Sequence, residues 1–405
     1  FNCLYQSSTF AAEMRNMILL DKPYVSDFLK DTILQNEIPV IETEVAKSFD
    51  LNNDSIKVSE IDAIEQYMEK PFLIYTNSEN AIDWVNKNLS FSELPDKIDI
   101  FKDKFRFREI TKTLLPNFFY QKVSIEDLYN VDYGSLPAKF VLKPVVGFFS
   151  MGVYTIENKE QFDNACEAIK KEITEVEDLF PESVLDTSSF IIEEYLEGEE
   201  FAFDAYFNYR GEAVVLGIMK HLFASPTDVS DRVYFTSKEI IETYVPVFEN
   251  YLNELNSFFD LKNFPLHVEV RINDKAEILP IEVNPLRFGA WCTSADLAYH
   301  AFGYNSISHL IKQQKPDWET ILKGKEGKRC SIVILNNSAG YAPNEIKSVD
   351  YDRILGRFSK PLELRKSDFT KQPHFGFLFV ETDESNWYEI EKILLDDLKG
   401  YVEVG

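Results

Sequence analysis

The run Leu279-Pro280-Ile281-Glu282-Val283-Asn284-Pro285-Leu286-Arg287-Phe288-Gly289 constrains this chain more than any other stretch. Apolar and polar residues alternate from Ile281 to Asn284. In an extended strand this sets Glu282 and Asn284 on one face and Ile281 and Val283 on the other. Pro285 has no N–H to give to a ladder, so the strand stops there. Two oxygen-bearing side chains then point the same way at a strand end. That suits a hard divalent cation such as Mg²⁺, which takes oxygen ligands and few carboxylates. Arg287 follows, a fixed cation able to grip phosphate or carboxylate. Taken alone, the stretch is equally compatible with a surface strand that points an acid and an amide at water.

Its upstream neighbour narrows the choice. From Pro265 to Ile272 the chain alternates again, with His267, Glu269 and Arg271 facing one way. Asn273-Asp274-Lys275 is a turn, so the two strands form a hairpin. The spacing brings Glu269 beside Glu282. Paired carboxylates are costly unless something neutralises them, and a bound cation does so.

Three further stretches carry chemistry. Ile100 to Leu115 reads as one helix with a basic cluster of Lys102, Lys104, Arg106, Arg108 and Lys112, for which only Asp103 and Glu109 are local partners. Phe140 to Gly147 is an apolar strand that contains Lys143. Gly147-Phe148-Phe149-Ser150-Met151-Gly152 then turns into a strand at 153–156. Backbone N–H groups in such a glycine-containing loop can cradle phosphate oxygens, with Lys143 as a point charge beside them. An ordinary hairpin turn has the same pattern. Last, a strand from Phe190 runs through Glu193, Glu194 and Leu196, turns at Gly198, and resumes after Glu200. A planar ring fits at a hinge of this kind, and Glu200 can accept ribose hydroxyls.

Elsewhere the chain alternates short strands and helices. Met17–Leu20, Ile38–Ile41 and Pro71–Tyr75 read as strands, with helices over Tyr24–Leu34 and Asn80–Leu89, which predicts a parallel α/β sheet. No glycine-rich dinucleotide fingerprint occurs there. Further strands are expected at Ala213–Met219, Cys330–Leu335 and Phe375–Val380, and helices at Lys159–Thr174, Ser237–Phe259 and Trp387–Leu398. The expected organisation is an N-terminal α/β domain over 1–97, a central domain over 98–324 with a hinge near 193–200, and a C-terminal α/β segment over 325–405. The fold class is α/β, with an α+β central part.

The chain has 405 residues and a formal net charge of -26 from 68 acids and 42 bases. That balance disfavours a nucleic-acid surface or an anionic membrane surface, both of which need clustered Lys and Arg. No apolar run reaches membrane-spanning length, and no signal peptide is visible. The four cysteines, Cys3, Cys166, Cys292 and Cys330, form no close pair, so a reducing cytoplasm is expected. The five histidines lack metal-ligand spacing. A homo-oligomer is compatible with all of this.

Taken together and in order, several motifs resemble the ATP-grasp superfamily over about residues 100–305. They are Asp103-Lys104, Val-Leu-Lys-Pro at 141–144 with the 147–152 loop, Ile-Ile-Glu-Glu-Tyr-Leu-Glu-Gly-Glu-Glu at 191–200, His-Val-Glu-Val at 267–270, and Ile-Glu-Val-Asn-Pro at 281–285. The resemblance extends to a preceding α/β domain in the first 95 or so residues. It implies an ATP-grasp fold and an ATP-dependent carboxylate–amine ligase that works through an acyl phosphate. Lys104 and Lys143 would bind ATP phosphates, under a loop with Gly147, Ser150 and Gly152. Glu193, with the backbone of Glu194 and Leu196, would hold the adenine, and Glu200 the ribose. Glu269, Glu282 and Asn284 would bind Mg²⁺, or Mn²⁺ in its place. Lys220, Arg271 and Arg287 would contact phosphates or the carboxylate substrate, with amino acids or peptides as plausible partners. The family usually places Arg directly after Asn-Pro; here Leu286 intervenes. Two other readings stay open: a kinase or phosphotransferase of the same fold, and a non-catalytic ATP-binding regulator.

Overall fold

The structure is a computed structural model that describes residues 16–49, 51–147, 152–176, 186–225, 228, 230–289 and 293–405. Ser150, Phe148, Phe149, Trp291, Cys3 and Cys292 lie outside the described residues.

The first sheet is parallel, as the strand–helix alternation predicts. Its strands are β1 (Met17–Leu19), β2 (Val40–Ile41), β3 (Lys57–Val58) and β4 (Ile74–Thr76), in the order β3-β2-β1-β4. Helices α1 (Asp27–Gln35), α2 (Glu44–Lys47), α3 (Glu60–Glu69) and α4 (Ile82–Asn88) connect and follow them. Side chains cap the first three: Ser26, Thr43 and Ser59 each accept a backbone N–H from the opening turn.

The helix expected over Ile100–Leu115 is two helices, α5 (Leu94–Lys102) and α6 (Lys104–Thr111). Asp103 is the break. It is extended, and its carboxylate accepts the Arg106 N–H at 2.8 Å. A short acid that bonds the backbone ahead of it favours a helix start over a helix interior.

A second sheet of four antiparallel strands follows: β5 (Tyr120–Ser124), β6 (Phe140–Val146), β7 (Tyr154–Ile156) and β8 (Asp186–Glu194), in the order β5-β8-β6-β7. Helix α7 (Lys159–Val176) lays Phe162, Ala165, Cys166 and Ile169 on Phe140, Leu142, Phe190 and Ile192. Those four helix positions recur at three- and four-residue spacing, so they form one apolar stripe.

Glu194 to Glu199 carries the chain from this sheet into the large one. Strands β9 (Glu199–Phe207), β10 (Ala213–Leu222), β11 (Val233–Ser237), β12 (Phe264–Ile272) and β13 (Ile278–Pro285) are joined by β14 (Lys328–Asn336). Strand β15 (Ile346–Val349) is set apart. Strands β16 (Pro361–Lys366) and β17 (His374–Asp383) then complete an eight-stranded antiparallel sheet, in the order β13-β12-β9-β10-β11-β14-β17-β16. Strand β18 (Val402–Val404) pairs with β15. The C-terminal strands thus extend the sheet that carries the Glu269–Glu282 hairpin.

Helix α8 (Lys238–Asn256) covers one face of this sheet. Phe248 stacks on Phe203 with ring centroids 4.3 Å apart, and Tyr244 meets Phe201 at 4.5 Å. Helix α9 (Thr293–Phe302) lies on the other face, where Leu297 joins Ala202, Met219, Ile332 and Phe379. Alternation along each strand therefore sorts the sheet into an aromatic face under α8 and a face whose polar end is free for chemistry. No helix among the described residues is long and apolar enough to cross a membrane.

Candidate active site

The hairpin forms as the spacing predicts, with Glu269 opposite Glu282 and His267 opposite Asn284. A bulge follows Glu269, which sharpens the local twist beside the acids. The Asn284 amide donates to Glu282 Oε1 at 2.8 Å, and Lys104 Nζ lies 3.6 Å from Glu282 Oε2. Burial would raise Glu282, but Lys104 and Asn284 hold it below its ordinary value. Glu269 has less help. Burial and then the charge of Glu282 push it up to about 7, with His267 only partly opposing. One carboxylate is compensated and its neighbour is not. That is a donor set that fits a hard cation, which would neutralise the second charge with oxygen ligands already facing one another. Among the described residues, no group of three or more His, Cys, Asp or Glu side chains is arranged to hold a metal. The fit is therefore to an ion that takes two carboxylates and an amide.

Lys104 opens α6 and joins the two sheets. Its Nζ donates to the Gly147 carbonyl at 3.3 Å while facing Glu282. Gly152, at the far end of the same loop, has φ of +68°, and a Cβ there would press on the Pro144 ring at 3.2 Å. Lys143 is buried on β6, 2.7 Å from Glu193 Oε2. Burial lowers its pKa, and Glu193 opposes that only in part.

Glu193 itself is buried and claimed twice. Arg108 approaches its carboxylate in a fork, Nε to Oε1 at 2.7 Å and Nη2 to Oε2 at 3.3 Å. Burial would raise Glu193, but Arg108 and Lys143 win and hold it at about 2. Its side chain is thus spent on ordering two cations. Glu194 next to it points to solvent, and its N–H bonds the Phe119 carbonyl at 2.9 Å. The Leu196 carbonyl accepts Arg271 Nη1 at 2.6 Å.

Glu200 sits between His221 and Arg271. His221 Nδ1 is 2.8 Å from Oε1, and Arg271 reaches Oε2 at 3.0 Å. Burial acts against the charge, yet the two partners hold Glu200 below its ordinary value. Arg271 also lies over the Tyr195 ring at 4.8 Å. His221 stacks on Tyr234 at 4.2 Å. Lys220 points the other way. It is registered with Phe201 on the α8 face and paired with Glu199. The structure therefore does not bring Lys220 to the acids; its neighbour His221 occupies the site face instead.

Arg287 is held from a distance. Leu286 takes a left-handed conformation (φ +63°) and is buried. Its N–H bonds the Pro265 carbonyl, and its own carbonyl takes the Thr76 N–H, both at 2.8 Å. The extra residue thus docks the segment onto β4 of the parallel sheet. Arg287 then donates through Nε to Glu79 at 3.0 Å, and Nη2 meets the same oxygen. Lys102 is the second partner of Glu79. Burial alone would raise Glu79, but Lys102 and Arg287 hold it well below the usual carboxylate range. Phe288 packs edge-on against Tyr75 at 4.9 Å and is fully buried.

The structure thus brings Lys104 to Gly147 and Glu282, Asn284 to Glu282, Lys143 to Glu193, Arg271 to Glu200, and Arg287 to Glu79. Residues that the sequence did not single out are Glu79, His221 and Asp204; nor did it show that Arg108 donates to Glu193 or that His267 meets Asp204. The only local signal among them was the alternation that put His267 on the Glu269 face. Such an arrangement can hold an anionic, phosphate-bearing ligand with an oxygen-ligated cation at its charged end.

Residues 136–295 match the family model described as the ATP-grasp domain. No curated protein sequence matches the chain. Among solved structures, an L-amino acid ligase from Bacillus licheniformis is similar in fold (15% identity, 96% of this chain and 98% of that one, TM-score 0.62). So is N5-carboxyaminoimidazole ribonucleotide synthetase from Thermotoga maritima (15% identity, 96% and 99%, TM-score 0.60). A carboxyaminoimidazole ribonucleotide synthase from Aspergillus clavatus, solved as a complex with ATP, is a third (13% identity, 96% and 99%, TM-score 0.62).

Proposed function

The chain carries an ATP-grasp domain, and from that premise we propose that it is an ATP- and Mg²⁺-dependent carboxylate–amine ligase that releases ADP and phosphate. The observation that carries this reading is the place of Lys104. One ammonium group lies between the Gly147 carbonyl of the small sheet and Glu282 of the large sheet. Phosphates of a nucleotide bound between the sheets would meet it there. The fold likeness to an L-amino acid ligase favours an amino acid or peptide as substrate. Buried free thiols at Cys166 and Cys330 favour a cytoplasmic setting.

In this reaction a substrate carboxylate oxygen attacks the γ-phosphorus of ATP. The bond to the ADP oxygen breaks as the acyl phosphate forms. An amine then adds at the acyl carbon, phosphate leaves, and the amine proton passes to solvent. Glu269, Glu282 and Asn284 would hold Mg²⁺, or Mn²⁺ in its place, and the ion would supply charge neutralisation at the phosphates. Lys104 and Lys143 contribute fixed positive charge, and Glu193 with Arg108 keeps Lys143 aimed without leaving it unpaired. Backbone N–H groups at Gly147 and Gly152 would donate to the phosphates. Glu193, with the backbone of Glu194 and Leu196, would hold the adenine, and Glu200 would accept from ribose. Arg271 and Arg287, held by Glu200 and Glu79, would contact the anionic groups. The task of these residues is to position and neutralise, as phosphoryl transfer requires.

Glu282→Ala tests the reading. ADP release with Mg²⁺-ATP and a panel of amino acids and small carboxylates should fall by about 100-fold or more. Mass spectrometry of the wild-type reaction should find an amide. Unchanged turnover in the variant would sink the assignment, and a stable phosphate ester in place of the amide would favour a phosphotransferase.

A further inference from the structure

His267 stands two residues before Glu269 on β12 and shares its face. The imidazole is buried. Its Nδ1 lies 2.7 Å from Asp204 Oδ1, and its Nε2 lies 3.6 Å from Glu269 Oε1. The second contact is an ion-pair distance, longer than a hydrogen bond. Backbone closes the remaining side. Gly289 donates its N–H to the same Asp204 oxygen at 3.0 Å. A Cβ at Gly289 would fall 2.6 Å from His267 Cε1 and 3.1 Å from each ring nitrogen. Asp204 thus fixes the ring and the Gly289 backbone in one stroke. The ring plane is set by these two neighbours, and what it then faces is Glu269.

We propose that His267 is a positioning residue, which sets the Glu269 carboxylate for a divalent cation and couples that carboxylate to the 286–289 segment bearing Arg287. This rests on the assignment of Glu269 and Glu282 as cation ligands. The role is orientation: Nδ1 gives its proton to Asp204, so Nε2 is the atom turned to Glu269. It also makes Gly289 a required glycine, since any side chain there would push the ring off its seat.

The test measures Mn²⁺ binding without turnover, by titrating Mn²⁺ into the full chain with a non-hydrolysable ATP analogue and reading free Mn²⁺ by electron paramagnetic resonance. His267→Asn keeps a donor to Asp204 but cannot reach Glu269. It should weaken Mn²⁺ binding by about 10–100-fold, with binding of the metal-free analogue unchanged. His267→Gln, which reaches toward Glu269, should recover most of the loss. Mn²⁺ binding by His267→Asn equal to wild type would overturn the inference. If that variant does not fold, Gly289→Ala asks the same question by displacing the ring, and undiminished Mn²⁺ binding there would also overturn it. Glu282→Gln separates the two levels. If it too binds Mn²⁺ like wild type, the cation-site reading falls. If it loses Mn²⁺ while His267→Asn does not, only the positioning role falls.

Discussion

Glu269 has a chemistry that depends on what is bound beside it. Burial and Glu282 push its pKa up to about 7, while a cation needs the carboxylate form, so protons and metal compete. The Mg²⁺ concentration for half-maximal ADP release should therefore rise as pH falls below about 7, by up to about tenfold per unit, and level off above about pH 8. Mg²⁺ titrations from about pH 6 to about pH 8 check this, and a requirement that does not change with pH would contradict it. The linkage also has a sign for stability. A carboxyl raised in the folded state binds more protons there than in the unfolded chain. The metal-free fold should thus lose stability as pH rises from the ordinary carboxylate value toward 7. The Glu269–Glu282 pairing was legible because it depends on the local spacing of a hairpin. The fate of Glu193 was not, because the arginine that claims it lies 85 residues away. The same holds for Glu79, which Arg287 finds 208 residues upstream. The basic cluster over 102–112 looked short of acids for the same reason. Its partners Glu79, Glu193 and Glu282 come from other elements.

At the scale of elements, the connection from β8 to β9 decides how the two sheets face each other. Gly198 has φ of +131°, and a Cβ there would fall 2.3 Å from the Ile272 carbonyl, at the end of β12. The link passes this close only because the residue has no side chain. Gly198→Ala should cost about 1–3 kcal/mol of stability and weaken nucleotide binding, since the link must back away from the strand that carries Glu269 and Arg271. Urea unfolding and an ATP-analogue titration measure the two effects; a variant that matches wild type in both would show that the link tolerates the shift. Strands and turns of this kind were readable from alternation and glycine. The break at Asp103 was harder. The apolar positions keep helical spacing through it, and only the capping bond to Arg106 shows that the chain restarts there. The direction of Lys220 was lost by a single position, because adjacent strand residues face opposite ways.

Across the whole molecule, the proposed nucleotide cleft lies between the small sheet and the large sheet, where Lys104 links them. A nucleotide held between them binds the folded chain alone. At 100 times its dissociation constant, Mg²⁺-ATP analogue should stabilise the protein by about 2.7 kcal/mol, seen as a rise in Tm by calorimetry. Mg²⁺ without nucleotide should give less. The absence of any nucleotide-dependent shift would count against the cleft as the binding site. The parallel N-terminal sheet was legible from strand–helix alternation and the acid hairpin from its spacing, but the reach of the large sheet was not. Strand β11 ends at Ser237, while its outer neighbour β14 starts only at Lys328, after α8, the acid hairpin and α9. Nothing in local pattern ties segments so far apart. The consequence appears during synthesis. A chain leaving the ribosome at about 5–20 residues per second holds β11 with an unpaired edge for on the order of ten seconds, with the acid hairpin already made. An unpaired edge is where chains join wrongly. The nascent form, more than the finished protein, is the one that a holding chaperone would have to protect.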